Sequence, residues 1–162
     1  MGGSPGHKGE TSPGDASRVE GTAHYRALEG MYHGAPCNQH FRPRVAIGDG
    51  EARVELDLRP DFMHPGQTVH GSIYFKVLDD AAYFAANSLV SDVFLLTESF
   101  HLHMMRAVGK GRLIAEGTVV YRSEKHIVAE AIARDQDGRE VARGSGTFLR
   151  SNMRLVPELG YR

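Results

Sequence analysis

The chain has almost no excess of charge: nineteen Lys and Arg stand against twenty Asp and Glu, for a formal charge of −1. That balance excludes a protein that holds nucleic acid by bulk positive charge, though not local basic patches. Cysteine is nearly absent. Cys37 alone supports no intrachain disulfide framework, and a reducing cytoplasm is the expected compartment. Long apolar runs are missing as well. None approaches the roughly 20 residues of a membrane span, and the first residues lack the basic-then-apolar layout of a signal peptide. What remains is ordinary for one globular domain: 162 residues, 41% hydrophobic and 24% charged.

Half of residues 1–20 are Gly, Ser or Pro, and Val19 is their only branched apolar residue. Such a segment buries too little surface to offset its ordering entropy, so it is expected to be a disordered tail ahead of a single domain over 21–162. Residues 22–33 predict a short helix: Tyr25, Leu28, Met31 and Tyr32 recur at 3–4 spacing, Thr22 can cap the start, and Gly34 and Pro36 end it. Ala52, Val54, Leu56 and Leu58 alternate with charged residues as in a half-buried strand. Residues 71–89 form the one long helix candidate, with Ile73, Val77, Ala81, Ala85 and Leu89 on one stripe and Leu78, Ala82 and Ala86 widening it. Everything after residue 92 reads as strand. The Asp137-Gly138 pair marks a hairpin, and Gly144 and Gly146 bare one strand face for close packing. Strand, long helix, then four antiparallel strands predict an α+β fold: a curved antiparallel sheet around one apolar helix. There is no internal repeat and no second domain.

Two features carry chemistry. His64-Pro65-Gly66-Gln67-Thr68-Val69-His70-Gly71-Ser72 leads into the helix. A helix start offers unpartnered N–H groups and partial positive charge, so the Gly71 N–H can hold an oxyanion, although a plain loop-to-helix junction would look the same. Two helical turns on, Asp79 and Asp80 interrupt an apolar stretch. A carboxylate there must be paired, solvated or raised in pKa, and one facing a cleft can act as base or nucleophile. Periodicity does not choose between the two. Gly71 and Asp79 lie about 12 Å apart along a helix at 1.5 Å per residue. One carbonyl cannot touch both within a chain, so joint action requires two copies of the chain.

This segment resembles the hotdog-fold acyl-CoA thioesterases, in particular the phenylacetate-pathway-like branch of the 4-hydroxybenzoyl-CoA thioesterase superfamily. That family carries Asn-Pro-x-Gly-x-x-His-Gly-Gly and an Asp nine residues after the His. Here the run from His64 to Ser72, Asp79, the tract Ala81–Ser88 and the strand from Thr97 to Arg106 match it, and the likeness spans about residues 45–150. Ser72 replaces the second Gly, and His64 replaces Asn.

The resemblance implies hydrolysis of an acyl- or aryl-CoA thioester in a homodimer or dimer of dimers, with no cofactor. Gly71 becomes the oxyanion donor and Asp79 of the second copy the base or nucleophile. Thr97 places water, and His64 stands where the family polarises the carbonyl. Phe62, Tyr74, Phe75, Leu78 and Tyr83 are candidate acyl-pocket lining, and His70 and Ser72 shape the loop. Arg106, Lys110, Arg122 and Lys125, near strand ends, are candidate partners for the phosphates of coenzyme A. His101 and His103, two apart and on one face with Thr97 and Ser99, could ligate a metal with a third residue, but a polar strand face is the plainer reading and no metal is expected. Two alternatives remain. A hotdog hydratase or dehydratase would pair His64 with Asp79, and a non-catalytic module would bind acyl-CoA without turnover.

Overall fold

The computed structural model describes residues 13–162. Two N-terminal helices, α1 (Pro13–Gly34) and α2 (Pro36–Phe41), precede strands β1 (Arg44–Gly48) and β2 (Glu51–Asp57). The long helix α3 (Gly71–Asn87) follows, and then β3 (Val93–Met104), β4 (Arg112–Arg122), β5 (His126–Asp135) and β6 (Glu140–Arg154). The six strands form one antiparallel sheet in the order β1-β2-β4-β5-β6-β3. No helix among the described residues is long and apolar enough to cross a membrane.

Helix α3 lies against the concave face of the sheet because it offers side chains small enough to let backbones meet. Ala81, Ala82, Ala85 and Ala86 have no exposed surface. Opposite them, β4 presents Gly117, where a Cβ would fall 2.2 Å from the Ala81 carbonyl oxygen. Gly144 and Gly146 serve the other half of the sheet. The Phe100 ring lies over both, and a Cβ on either would come within 2.5 Å of it. The close-packing strand face expected from these two glycines is thus occupied by an aromatic ring from the neighbouring strand.

The N-terminal helix departs from expectation. It runs from Pro13 to Gly34 rather than over 22–33, so residues 13–20 of the expected tail are helical and Thr22 lies inside the helix instead of capping it. Residues 1–12, expected to be disordered, lie outside the described residues. The stripe of Leu28, Met31 and Tyr32 is buried as its spacing requires. His24 ties α1 to two distant segments. Its Nε2–H donates to the Asn87 carbonyl at 3.0 Å, and its Nδ1 accepts from the Tyr161 hydroxyl at 2.7 Å. Helix α3 ends at Asn87, two residues before the expected Leu89. The Asn87 amide there donates to the Val90 carbonyl and accepts from the Tyr83 hydroxyl.

A side chain at Gly117 meets backbone that cannot move aside, so Gly117→Ala is expected to lower stability by about 2 kcal/mol or more, the upper part of the range for overpacked cores. Chemical denaturation measures it, and the same change at exposed Gly34, where nothing lies within 4 Å of the added Cβ, gives the comparison.

Candidate active site

The loop before α3 is a tight turn with its own hydrogen bonds. His64 N–H donates to the Thr68 carbonyl at 3.0 Å and Gln67 N–H to the His64 carbonyl at 2.9 Å, with Gln67 at φ +62°. The His64 imidazole folds back onto this turn. Its Nδ1 accepts from the Gly66 N–H at 2.9 Å, so its Nε2–H donates to the Thr68 hydroxyl at 2.8 Å. Both nitrogens are engaged within the loop, and His64 braces the turn instead of offering a donor to a bound carbonyl.

His70 caps the helix. Its Nδ1 accepts from the Ser72 backbone N–H at 3.1 Å and from the Ser72 hydroxyl at 2.8 Å. Ser72 therefore satisfies the cap and leaves the Gly71 N–H with no acceptor among the described residues. Met104 of β3 closes over this point: a Cβ at Gly71 would lie 3.3 Å from its sulfur.

Two turns along α3 the adjacent aspartates separate. Asp80 points under α1, where its Oδ2 accepts from the Tyr32 hydroxyl at 2.6 Å and from the Lys76 ammonium. Asp79 faces β3, and its Oδ1 accepts from the Thr97 hydroxyl at 3.1 Å. Burial pushes the Asp79 carboxyl up to about 6, the Asp80 charge adds to the rise, and Thr97 and Lys76 oppose it. Asp79 opens into a cavity of about 330 Å³ walled by Met31, Tyr32, Cys37, Tyr83, Phe84 and Phe94.

Of the five lining residues expected from sequence, Tyr83 alone is in this cavity. Its hydroxyl donates towards Asn87 and the Leu95 carbonyl. Leu78 is sealed in the core. Tyr74 is buried, and its hydroxyl joins the Arg106 carbonyl to the Val108 N–H. Phe62 stacks on Phe41 beneath the Arg59 guanidinium. Phe75 is 41% exposed and meets Phe100 edge-on. The walls that sequence reasoning missed come from α1, α2, β3 and, in Phe84, α3 itself. Met31 and Tyr32 were visible as an apolar stripe, but nothing in the sequence says which face of α3 they meet.

The four cations divide. Arg106 and Lys110 lie between β3 and β4 at the Gly71 end, where Lys110 joins Arg59, Met63, His64 and Gln67 around an open cavity of about 690 Å³. Arg122 and Lys125 lie at the β4–β5 hairpin, about 30 Å away along the strand. His101 and His103 face away from Thr97, contrary to the parity expected of an unbroken strand. An irregularity between Thr97 and Ser99 shifts the register against β6, pairing Thr97 with buried Phe148 and His101 with Ser145. The two histidines line a shallow outer pocket with Glu130 and Arg143. Among the described residues no three His, Cys, Asp or Glu side chains converge as a metal site.

The sequence pattern of the Thioesterase superfamily matches residues 66–142, a span that includes the helix cap, Asp79 and Thr97. Over that span the chain is similar to this superfamily. Its architecture is the hotdog fold. It superposes on the Escherichia coli PaaI protein of the phenylacetic acid degradation operon with a TM-score of 0.76 and 18% identity, covering 83% of this chain and 97% of that one. A point mutant of the Thermus thermophilus phenylacetic acid degradation protein PaaI is 25% identical, with a TM-score of 0.66, 72% of this chain and 100% of that one covered. A Saccharolobus solfataricus protein provisionally named an esterase is 26% identical over 104 residues, 64% of this chain and 74% of its own.

Holding Asp79 ionised in its cavity costs stability, and the sign follows from the raised carboxyl. The unfolded chain ionises near the ordinary 3.8 and the folded chain only near 6, so the folded state is penalised in full above pH 6 and not at all below 3.8. Asp79→Asn is therefore expected to raise the melting temperature by a few degrees at pH 8 and to leave it nearly unchanged at pH 3.5, as thermal denaturation at the two pH values will measure.

Proposed function

We propose that this hotdog chain hydrolyses an acyl or aryl thioester of coenzyme A to the free acid and the thiol. The observation that carries the reading is the pairing of an unpartnered helix-start N–H at Gly71 with a proton-hungry carboxylate at Asp79, at two points of one rigid helix. The Gly71 N–H donates to the oxygen on which charge develops as the thioester carbonyl becomes tetrahedral. Asp79 takes a proton from water as that water's oxygen attacks the carbonyl carbon, and Thr97 keeps the carboxylate oriented. Collapse of the tetrahedral species breaks the C–S bond, and the proton held on Asp79 goes to the departing sulfur. A carboxyl group that gains its proton near pH 6 can do both steps at neutral pH.

The 12 Å between the two groups, about eight residues of helix rise, makes the site a property of two copies. Strand β3 supplies the means. It is an edge strand twelve residues long, with Leu96 and Met104 exposed on it. Met104 meets Gly71 near one end, and Thr97 meets Asp79 towards the other. Antiparallel pairing of two β3 edges centred near Phe100 and His101 sets the Met104 end of one copy beside the Thr97 end of the other. Gly71 from one protomer then faces Asp79 from its partner across a shared pocket, with two such pockets per dimer. The open cavity lined by Lys110 is at the Gly71 end, near Arg106, which favours these two cations over Arg122 and Lys125 for the phosphates.

The hydratase alternative needs a free imidazole at His64, and that ring is engaged within its own loop. Phenylacetyl-CoA and decanoyl-CoA hydrolysis assayed beside crotonyl-CoA hydration separates the two reactions, and binding without either would identify a carrier module. Asp79→Ala is expected to reduce thioester turnover by about 100-fold or more, and wild-type rates in that variant would remove Asp79 from the chemistry. Mixed dimers of Asp79→Ala with Gly71→Pro chains are expected to regain activity, because one of their two pockets has both groups intact. Verified mixed dimers without recovery would contradict a shared site.

A further inference from the structure

Lys76 stands one turn before both aspartates, within reach of either. Residues three and four apart on a helix are neighbours on its surface, so the ammonium can pair with Asp79 or with Asp80. It pairs with Asp80. Residues of the N-terminal helices surround that pair. Tyr32 of α1 donates its hydroxyl to the same Asp80 oxygen, at 2.6 Å. The Lys76 Nζ lies 5.2 Å from the centre of the Tyr32 ring and 5.7 Å from that of Phe41 in α2, both within cation–π range. The Lys76 and Asp80 side chains are only 18% and 14% exposed, so both charges are held in a largely dry enclosure where an ion pair is strong and a lost partner is costly.

We propose that Asp80, Tyr32 and Phe41 form a clamp that holds the Lys76 ammonium away from Asp79 and so leaves Asp79 unpaired to act as the base. The inference rests on the reading of Asp79 as base. It makes Asp80 a positioning residue, because Asp80 acts through Lys76 and not on the substrate. It also gives α1 and α2 a part in catalysis beyond walling the cavity. The groups that face Asp79 are Lys76, Asp80 and Tyr83 from α3, Thr97 from β3, and Tyr32 and Cys37 from α1 and α2. Lys76 is the one cation among them, so its choice of partner decides whether Asp79 has a positive charge beside it.

The test is a ¹³C NMR titration of the Asp79 carboxyl in the full chain, run beside the pH dependence of thioester turnover. In Asp80→Asn the ammonium is freed to turn to Asp79, and the Asp80 charge that raises Asp79 is lost as well. The Asp79 titration and the acid limb of the pH–rate profile are then expected to move down together by about 1–2 pH units, the range for an aspartate that gains an adjacent cation. Removing Lys76 as well, in Lys76→Met with Asp80→Asn, is expected to restore both, since that double variant keeps the cavity and leaves no cation to capture Asp79. Tyr32→Phe keeps both charges and is expected to give a smaller shift in the same direction. It carries the test where Asp80→Asn does not fold, and an unmoved Asp79 in it then overturns the clamp. An Asp79 titration that stays at its wild-type position in folded Asp80→Asn, or stays low in the double variant, also overturns it. The titration needs no substrate. A clamp that behaves as expected in a protein without thioester turnover would leave the positioning intact and refute the hydrolase reading alone.

Discussion

A straight helix spaces its residues at about 1.5 Å each, and that spacing governs the rest of this molecule. Gly71 opens α3 and Asp79 stands two turns along it, so neither can approach the other whatever the loops do. The helix is held rigidly. Its alanine face lies against glycine backbone on β4, and both ends are tied down, by His70 and Ser72 at the start and by Asn87, Tyr83 and His24 at the finish. The same small residues that let α3 sit so deep in the sheet prevent it from bending to unite its two functional groups. On the proposed reading, a site built on such a helix gains precision and is completed by a second copy.

Two neighbouring aspartates on that helix show how differently one residue type behaves in two surroundings. Asp80 receives a phenol and an ammonium, and its charge is neutralised where it is buried. Asp79 receives one neutral hydroxyl and opens on a cavity. Burial raises both carboxyls, but only in Asp79 is the rise left without a direct cationic partner. The difference lies in α1 and α2, which lie over one flank of α3 and bring Tyr32 and Phe41 to Lys76. In the clamp proposed above, an element far from the reacting bond thereby selects which carboxylate serves as the base.

Much of the fold was legible because its determinants are local. The alternation around Val54, the stripe along α3, the Asp-Gly hairpin and the glycines at 144 and 146 each act within a few residues. The features that escaped prediction depend on partners distant in sequence. Helix α1 begins inside a Gly- and Pro-rich stretch, where composition argued for disorder. The irregularity after Thr97 carries no marker residue, yet it turns His101 and His103 to the outer face. The fate of His64 was hidden because an imidazole can serve a loop or a ligand equally well, and the choice depends on whether Gly66 N–H and the Thr68 hydroxyl lie within its reach. Spacing also could not separate Asp79 from Asp80, since the deciding residues lie on α1, α2 and β3.

The two edges of the sheet carry the argument for assembly further. An exposed edge is a row of unpaired N–H and C=O groups, and monomeric proteins shorten it, cover it or charge it. At β1 this has been done. The strand has five residues, α1 packs against it, and the Glu29 carboxylate accepts from the Ile47 N–H at 2.9 Å. At β3 it has not. That strand is twelve residues long, contains no proline or lysine, and pairs on one side with β6 and on the other with no strand among the described residues. That contrast supports the proposed pairing of the open edge with a second copy. The open edge is also the strand whose Met104 end touches Gly71 and whose Thr97, seven residues back, touches Asp79, so the pairing that would satisfy its backbone would bring together the two groups that α3 keeps apart.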